Sequence, residues 1–467
     1  MSMSGTIYAI FVFSVVYFLA VTVYFMFLTM IGSRENVKKT FEGAEEDYPL
    51  FYFSAVRMPV TMIVPVRNEE MWIEDSLMSL INLNYPQFEV IVVNDGSTDS
   101  TLAKLDAMLK LKPYDPVYIK HYKDGHVRRI LTSEKYPNVT VIDKDSGFKK
   151  AGAANAGLNL AQYDYVCVVD ADTVLERDSL LKVMAQVHKE PDKVIGVGSY
   201  FGLVNGFKIK DGAIIDRSAS YKPIVAYQNI EYMRSFIGNR LAWSKYNIMP
   251  NIAGGFGVWR KDVLYELGGY SSDFTCEDLE FTFRAHDYAA KNREKGYKII
   301  MLPYSVAWTE GPNNIKSLII QRNRWQRVLN ETIWKYKYMT FNPKYGLLGF
   351  MVIPYFVLYE FAGIFIEAFS LILLFSGLIA GVVDLKIFLA FFTLMLLTQA
   401  FMSLLCILIF VDAQRVFKIK YIMYLAGLSL VEYFWYRWIV SAAKFAGTFD
   451  SLRNKRSFDM YKRAERS

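Results

Sequence analysis

Two carboxylates that follow a short apolar run are the residues best placed to do chemistry. Residues 166–169 are apolar, and Asp170 and Asp172 follow them with one alanine between. A short apolar run bounded by polar residues is typical of a strand buried on both faces, and ligands of open α/β sheets bind beyond the carboxyl ends of such strands. Because Mg²⁺ is usually held by one or two carboxylates together with substrate phosphates, the pair predicts a site for a divalent cation and a diphosphate. The alternative interpretation is a solvated turn, in which aspartate is also common.

Three more groups of carboxylate, guanidinium and aromatic side chains occur along the chain. They are Asp95 within residues 94–99, the pair Glu277 and Asp278, and the set Gln321, Arg324 and Trp325. A carboxylate can act as a general base, an arginine can bind a diphosphate through its planar fork, and a tryptophan face can support a sugar ring. Taken alone, Glu277 and Asp278 would also suit the start of a helix, and Trp325 would suit a membrane interface.

The segments between these residues alternate between strand and helix patterns. Apolar runs that predict strands are residues 60–66, 90–93, 139–142, 166–169, 194–197 and 299–302. Helical patterns cover residues 101–111, 152–161, 179–188, 227–243, 263–268, 277–288 and 315–338, and a further helix opens at Asn68 and Glu69. This alternation predicts an α/β domain with a mixed, mostly parallel sheet, whose carboxyl ends bring the loops at Asn68, Asp95 and Asp170 together.

Three stretches have a less definite pattern. Residues 205–224 match neither period, and we do not place them. Gly254 and Gly255 lie in a glycine-rich stretch where the backbone could approach a ligand closely, although a simple turn is the alternative. Asp143 and Asp145 repeat the spacing of the first carboxylate pair, and we interpret them as an unrelated loop.

The composition indicates a soluble domain joined to membrane helices. The chain is 53% hydrophobic and 21% charged, with a formal net charge of +7. Residues 6–31 contain no charge and are long enough for a tilted transmembrane helix, and Arg34, Lys38 and Lys39 after them predict that the next domain is cytoplasmic. No basic stripe or reader motif points to nucleic acid, and three cysteines and four histidines are too scattered for a disulfide framework or a zinc site.

A second membrane region follows residue 345. Residues 345–383, 387–411 and 421–443 are mainly apolar, and residues 315–338 predict a basic, aromatic amphipathic helix at the membrane interface. If each of these three apolar segments crossed the membrane once, the basic tail would lie outside. We therefore expect a cytoplasmic tail, with one segment that does not cross or with residues 345–383 crossing twice. The predicted boundaries are 1–33, 34–314, 315–345, 346–443 and 444–467. Four charges within the apolar segments predict either a polar path or packing ion pairs: Glu360, Glu367, Glu432 and Arg437.

The ordered set of motifs resembles that of the family 2 membrane glycosyltransferases, which include cellulose, hyaluronan, chitin and poly-N-acetylglucosamine synthases. The matching motifs are D at Asp95, D-x-D at Asp170 and Asp172, E-D at Glu277 and Asp278, and Q-x-x-R-W at residues 321–325. The likeness runs from about residue 60 to residue 338, and the flanking membrane segments fit it. It implies a cytoplasmic domain of the GT-A type, a nucleotide-diphosphate sugar donor, Mg²⁺ or Mn²⁺, an inverting transfer and a product channel in the same chain.

The resemblance also implies a role for each matching residue. Asn68, Glu69 and Asp95 would bind the nucleotide; Lys150, Gln321 and Arg324 would bind the diphosphate; Asp170 and Asp172 would hold the cation. Asp278 would be the general base with Glu277 beside it, and Trp325, Gly254 and Gly255 would contact the acceptor. Taken alone, Lys150 would also suit a solvated position at a helix start. Cys276 stands where the family has Thr, Gly or Glu, and Phe458 stands where a gating segment corresponding to residues 449–463 would carry Trp, so gating is in doubt.

Together these observations predict a plasma-membrane enzyme that extends a β-linked polysaccharide from a UDP-sugar and extrudes it. UDP-glucose, giving a cellulose-like or mixed-linkage glucan, is the first choice of donor, and UDP-N-acetylglucosamine is the alternative. A transferase that glycosylates a lipid once and an inactive transporter or scaffold subunit are the rival interpretations. The expected partners are the donor, the growing glycan, the lipid bilayer, and accessory subunits or a second copy of the chain, but not nucleic acid.

Overall fold

The computed structural model describes residues 3–54, 58–381, 383–414 and 416–453. Within these residues the strands are β1 (Val60–Val66), β2 (Phe88–Asp95), β3 (Leu111–Pro113), β4 (Val127–Ser133), β5 (Val139–Lys144), β6 (Tyr165–Val169), β7 (Val174–Leu175), β8 (Val194–Leu203), β9 (Lys208–Lys210), β10 (Ala213–Asp216), β11 (Phe256–Arg260) and β12 (Lys298–Thr309). They form a ten-stranded sheet, ordered β3-β4-β5-β2-β1-β6-β11-β8-β12-β7, and a separate hairpin of β9 and β10.

The described helices surround this sheet and continue into a helical region after residue 345. They are α1 (Met3–Ala44), α2 (Tyr48–Ser54), α3 (Ile73–Ile81), α4 (Thr101–Leu109), α5 (Lys149–Leu160), α6 (Ser179–His188), α7 (Pro223–Met233), α8 (Leu241–Lys245), α9 (Lys261–Glu266), α10 (Asp278–Lys291), α11 (Ile315–Tyr336), α12 (Ile353–Tyr355), α13 (Ala362–Ile379), α14 (Leu385–Gln414), α15 (Ile419–Val431) and α16 (Tyr436–Leu452). Short π-helical and 3₁₀ segments connect several of them.

The centre of the sheet is parallel, as the alternation of strands and helices predicted. The strands β5, β2, β1 and β6 run in the same direction, so their carboxyl ends meet at one edge. The register places Asp95, at the end of β2, opposite Lys144 at the end of β5. Asp170 follows β6 at the same edge, which explains how carboxylates distant in sequence come together.

Alternate residues of β1 pack against two different layers. Met62 and Val64 are buried with Leu77 of α3, whereas Ile63 is buried against α5 on the other face. A Cβ added to Gly157 of α5 would lie 2.4 Å from Cγ2 of Ile63, so this small-residue helix lies unusually close to the sheet. The sheet is thus covered on both faces, which is why its strands read as continuous apolar runs.

The sheet also contains an antiparallel strand that the sequence patterns did not predict. β11 lies between β6 and β8 and is antiparallel to both. Its first residues belong to the glycine-rich stretch predicted as a loop; a Cβ on Gly257 would lie 2.4 Å from Cγ2 of Ile252, so glycine permits close packing within the strand. The unplaced residues 205–224 contain the small β9–β10 hairpin.

Three described helical segments are long and apolar enough to cross a membrane: Ala9–Ala44, Leu348–Ile379 and Leu385–Phe410. The third predicted C-terminal segment is not continuous, because a 3₁₀ turn at Glu432–Phe434 divides it into α15 and α16. Instead, α16 packs along α11, where a Cβ on Gly447 would lie 2.6 Å from the carbonyl oxygen of Asn323. One segment before the sheet domain and two after it agree with the expectation that the basic tail lies on the same side as that domain. Phe458, which stands where the family's gating segment would carry Trp, lies outside the described residues.

Candidate active site

The sequence-predicted site residues converge on one large cavity. Its volume is about 870 Å³, and it opens between the carboxyl edge of the sheet, α11 and the start of the membrane helices. The predicted residues that line it are Glu69, Asp95, Lys150, Asp170, Asp172, Gly254, Gly255, Glu277, Asp278, Gln321, Arg324 and Trp325. The carboxylates, cations and aromatic platform that the motifs suggested therefore share one space.

Asn68 is the predicted site residue that does not line the cavity. Its backbone is in the left-handed region, with φ of 56°. Its Oδ1 accepts hydrogen bonds from the backbone N–H of Thr98 at 2.8 Å, and its own N–H donates to Oγ of Ser97 at 3.0 Å. Asn68 therefore ties the loop after β1 to the loop after β2, and the expectation of a direct nucleotide contact is not supported by this geometry.

Asp95 has a buried lysine partner that the motif analysis missed. Lys144, at the neighbouring strand end, is fully buried and forms an ion pair with Asp95. The two carboxylates that flank Lys144 are engaged elsewhere, Asp143 with Arg129 and Asp145 with Arg128. These contacts agree with the interpretation that this second D-x-D is not the cation site. The lysine could have been found from the sequence, because β5, which ends at Lys144, was expected to lie in the same parallel sheet as β2, which ends at Asp95.

Lys150 is at the centre of the charged groups. Its Nζ lies 2.6 Å from Oδ1 of Asp170 and 2.8 Å from Oε1 of Glu277, and it donates to the carbonyl oxygen of Gly254 at 3.1 Å. Burial acts to lower the pKa of Lys150, but the two carboxylates outweigh it and hold the pKa well above the ordinary value. Lys150 is thus a fixed cation in contact with both carboxylate motifs.

The glycine at position 254 allows this close arrangement. A Cβ at Gly254 would lie 2.8 Å from Nζ of Lys150 and 3.3 Å from Oε1 of Glu277. A Cβ at Gly255 would meet Oδ2 of Asp170 only at 3.6 Å, which is ordinary contact. The backbone therefore approaches the charged groups more closely at Gly254 than a side chain permits.

Asp278 begins α10 and is held by backbone donors. Its Oδ2 accepts from the N–H of Gly254 at 3.1 Å, and its Oδ1 accepts from the N–H of Leu279 at 2.8 Å. Burial raises the pKa of Asp278, as does the neighbouring charge of Glu277, while Lys150 opposes them. A carboxylate with a raised pKa is a stronger base than an exposed aspartate, which suits proton abstraction near neutral pH.

Asp170 and Asp172 have the chemistry that a divalent cation requires. Asp172 is buried, while Asp170 keeps 37% of its side chain exposed towards the cavity. Among the described residues, no group of three or more His, Cys, Asp or Glu side chains could hold a metal ion by itself. Two carboxylates fit Mg²⁺ or Mn²⁺ when the remaining ligands are phosphate oxygens and water, because both ions prefer oxygen donors.

The Q-x-x-R-W motif presents an aromatic face to the cavity. Trp325 is 40% exposed, and the guanidinium of Arg322 lies 4.2 Å from the centre of its ring. Arg322 is buried, pairs with Glu231 and donates to Oε1 of Gln321 at 2.9 Å. Sequence reasoning assigned no role to Arg322 or Glu231, yet they fix the positions of both Gln321 and Trp325. Arg324 lines the same cavity.

The charges in the apolar C-terminal segments are paired, and most also line cavities. The pairs are Glu360 with Lys444 at 2.7 Å, Glu367 with Arg437 at 3.0 Å, and Glu432 with Arg234 at 2.6 Å. A second cavity of about 160 Å³ lies among α1, α13 and α14. It shares residues with the large cavity, namely Phe25, Arg234, Asn239, Tyr359 and Arg437. The large cavity therefore borders the smaller cavity between the membrane helices.

Two protein-family models match this chain. Glycosyl transferase family 2 matches residues 61–268, and Glycosyl transferase family group 2 matches residues 165–413, which is more than half of the chain. The chain is a family 2 glycosyltransferase. The resemblance drawn from the ordered motifs is thus confirmed, as is the prediction of an enzyme with a mixed α/β domain.

Several curated proteins resemble this glycosyltransferase. It is 27% identical to Probable glycosyltransferase YdaM of Bacillus subtilis over 72% of this chain and 70% of that protein. It is 26% identical to poly-beta-1,6-N-acetyl-D-glucosamine synthase of Staphylococcus epidermidis over 61% of this chain and 58% of that protein. It is 25% identical to the synthase of the same name in Staphylococcus aureus strain COL, over 71% of this chain and 67% of that protein. The match thus spans between about three fifths and 70% of the length of these relatives.

A solved structure shares the fold over nearly the whole glycosyltransferase. It is the mannosyltransferase PcManGT from Pyrobaculum calidifontis in complex with GDP-Man and Mn²⁺. The TM-score is 0.54 at 19% sequence identity, and the match covers 92% of this chain and 99% of that one. The likeness extends the shared fold beyond the sheet domain to the helical region.

Proposed function

We propose that this enzyme extends a β-linked N-acetylglucosamine chain from UDP-N-acetylglucosamine, with inversion at the sugar, and passes the product between its membrane helices. The observation that supports the proposal is the cavity in which Asp170, Asp278 and Trp325 meet, which borders a second cavity among α1, α13 and α14. The choice of donor differs from the one made first from the sequence. Relatives named as poly-beta-1,6-N-acetyl-D-glucosamine synthases favour UDP-N-acetylglucosamine over UDP-glucose.

The donor end of the cavity would bind the nucleotide and its diphosphate. Glu69 and Asp95 lie towards the nucleotide, and Lys150 and Arg324 supply positive charge for the phosphates. A divalent cation held by Asp170 and Asp172, Mg²⁺ or Mn²⁺, would neutralise the charge that builds up on the leaving diphosphate. Arginine suits this position because its fork can bind two phosphate oxygens at once.

The acceptor end would supply the base and the sugar platform. Trp325 stacks under the terminal sugar of the acceptor, and Asp278 takes the proton from its hydroxyl as that oxygen bonds to the anomeric carbon. The bond from that carbon to the diphosphate breaks, UDP leaves, and the configuration inverts. Cys276, although it lines the cavity, is a poor nucleophile because burial raises the pKa of its thiol to about 12, which agrees with direct displacement.

Three segments that could cross the membrane support a reaction at the cytoplasmic face of the plasma membrane. With three crossings, the sheet domain and the tail lie on the same side, where UDP-sugars are made and where the basic residues are favoured. The paired charges Glu360–Lys444 and Glu367–Arg437 would add polar groups without net charge to the wall of this passage. Such a wall suits an uncharged glycan rich in hydroxyl and amide groups.

The test is a panel of UDP-sugars with the purified full chain, in which UDP release is measured with Mn²⁺ or Mg²⁺ and the product linkage is determined. The expected result is release from UDP-N-acetylglucosamine and an insoluble β-linked polymer, both lost in Asp278→Asn. Release only from UDP-glucose with a glucan product would restore the donor first chosen from the sequence. A product of one sugar on a lipid would favour single transfer, and no release from any donor would indicate an inactive subunit.

A further inference from the structure

A π-helical segment between α7 and α8 carries two cavity-lining arginines. The segment is Arg234–Arg240, and it packs against α1 and α14; a Cβ added to Gly238 would lie 3.2 Å from Oγ1 of Thr29 and 3.6 Å from Sγ of Cys406. Both Arg234 and Arg240 line the large cavity. π-Helical turns are rare and are frequently found at functional sites, because they turn side chains out of the ordinary helical register.

The two arginines differ in the hydrogen-bond partners of their side chains. Arg234 donates to both carboxylate oxygens of Glu432 at 2.6 and 2.7 Å and to Oγ of Ser403 at 2.6 Å. Arg240 has no hydrogen bond or ion pair to any described residue, and its Nη1 is buried. Its guanidinium lies 4.2 Å over the ring of Phe236, which orients it without satisfying its donors.

Burying Nη1 of Arg240 without a hydrogen-bond partner is costly for the folded protein. Burial lowers the pKa of Arg240 to about 10, although Asp278 and Tyr232 act in the opposite direction. Phe236 is itself buried and held by the rings of Tyr200 and Phe201, both with centroids 5.2 Å away. The fold thus fixes a cation at a position where none of the described residues accepts its hydrogen bonds, which points to a ligand that does.

The chemistry of the position identifies the kind of ligand. A guanidinium has five N–H donors and no acceptor, so the ligand must offer oxygen lone pairs. In the proposed function the phosphates of the donor would face Lys150 and Arg324, whereas Arg240 is within electrostatic reach of Asp278, the proposed base. The oxygens that must come close to Asp278 during the reaction belong to the terminal sugar of the acceptor.

We infer that Arg240 is an acceptor-binding residue, which donates hydrogen bonds to a hydroxyl or acetamido oxygen of the terminal acceptor sugar and so orients the attacking hydroxyl towards Asp278. The inference rests on the proposed function, because it takes Asp278 to be the base. Arg240 would thereby select an acceptor that presents an oxygen beside the attacking hydroxyl. A lysine could replace the charge but not the planar fork.

The test compares Arg240→Met with Arg234→Met, a matched arginine at the other end of the same π-helical segment. Both variants are made in the full chain, and each is assayed for thermal midpoint, UDP affinity and the KM for short β-linked N-acetylglucosamine oligosaccharides. Arg240→Met is expected to keep UDP affinity within about twofold and to raise the oligosaccharide KM by about ten- to a hundredfold. Its thermal midpoint should stay the same or rise, because the variant removes a buried N–H group that has no hydrogen-bond partner in the protein.

Arg234→Met should instead lower the thermal midpoint, because Glu432 would lose its partner. Arg240→Lys should fold like the wild type and retain part of the acceptor affinity. If Arg240→Met does not fold, the oligosaccharide KM of Arg240→Lys therefore tests the inference. A normal oligosaccharide KM in Arg240→Met or Arg240→Lys would overturn the inference, and a weakened affinity for UDP would reassign Arg240 to the phosphates. Suppose that the wild type transfers from UDP-N-acetylglucosamine and that Asp278→Asn does not. A normal oligosaccharide KM or a weakened UDP affinity in the Arg240 variants then refutes the role of Arg240 but not the proposed function. A wild type without transfer refutes the proposed function, and this inference with it.

Discussion

Replacement of Gly254 by alanine should disturb the charged groups of the active site without unfolding the protein. The added Cβ would lie 2.8 Å from Nζ of Lys150, 3.3 Å from Oε1 of Glu277 and 3.5 Å from Oδ2 of Asp278. Ordinary contacts between such atoms are about 3.5–4.0 Å, so the ammonium group must move by about 1 Å. Its contacts with Asp170 and Glu277, now 2.6 and 2.8 Å, would then lengthen or break.

Gly255→Ala is a matched control on the adjacent residue. Its Cβ would have no heavy atom nearer than Oδ2 of Asp170 at 3.6 Å, Oγ1 of Thr173 at 3.7 Å and the ring of Phe201 at 3.8 Å. Neither Gly254 nor Gly255 has a positive φ, so alanine brings no backbone strain of that kind at either position. The two variants therefore differ in whether Lys150 has to move.

A misplacement of about 1 Å can cost about a hundredfold in rate, so Gly254→Ala should lower kcat by about ten- to a hundredfold. The free energy of unfolding should change by less than about 1 kcal/mol, because the displaced atom is the end of a flexible side chain and alanine restricts the unfolded chain. Gly255→Ala should lower kcat less than Gly254→Ala, because its Cβ does not displace Lys150. UDP release from UDP-N-acetylglucosamine and the thermal midpoint of the purified chain are the measurements.

The double variant Gly254→Ala/Lys150→Met separates this explanation from a general disturbance. If Gly254→Ala acts by moving Lys150, it should add little to the effect of Lys150→Met, because the two changes remove one interaction. Equal losses of activity in Gly254→Ala and Gly255→Ala, or fully additive effects in the double variant, would refute the reasoning.

Three further outcomes follow from the same geometry. Asp278→Asn should lower kcat by about 10²–10⁴-fold and leave UDP affinity nearly unchanged, because it removes the base and not the nucleotide pocket; near-normal turnover would exclude Asp278 from that role. Asp172→Asn should weaken UDP binding about tenfold with Mn²⁺ but not without it, as measured by calorimetry. The same UDP affinity in the variant and the wild type with Mn²⁺ would count against the cation site. The pH profile of kcat should fall on the acidic side at a higher pH than for an ordinary aspartate, since protonated Asp278 cannot accept a proton and burial raises its pKa. In Lys150→Met this acidic limb should move to still higher pH, because a charge that lowers that pKa is lost; an unmoved limb would contradict the assignment.

Periodicity predicted those elements whose stability comes from regular burial. The strand Val60–Val66 and the helix Ser179–His188 have the predicted bounds, because their apolar residues follow the periods of a buried strand and of a helix with one apolar face. β11 was missed because Gly254 and Gly255 precede it and Gly257 lies within it, and glycines suggest a turn when the residue packed against Gly257, Ile252, is not yet known. The break between α15 and α16 begins at Glu432, whose ion-pair partner Arg234 is distant in sequence and is not revealed by any local pattern.

The candidate site could be predicted where a residue type and its position at a strand or helix end imply its chemistry. Asp170 and Asp278 are of this kind, and both line the cavity. Lys144 and Arg240 were not singled out, because the importance of each depends on what surrounds it in space. Lys144 matters since it neutralises the buried Asp95, and Arg240 matters since none of the described residues satisfies it.

A structure of the Asp278→Asn variant with UDP-N-acetylglucosamine and Mn²⁺ would test most directly whether one cavity gathers the whole reaction. We expect the manganese signal beside the carboxylates of Asp170 and Asp172, the diphosphate next to Lys150 and Arg324, and the sugar between residue 278 and the face of Trp325. Nucleotide bound outside this cavity, or manganese held by other residues, would contradict the proposed site and the function built on it.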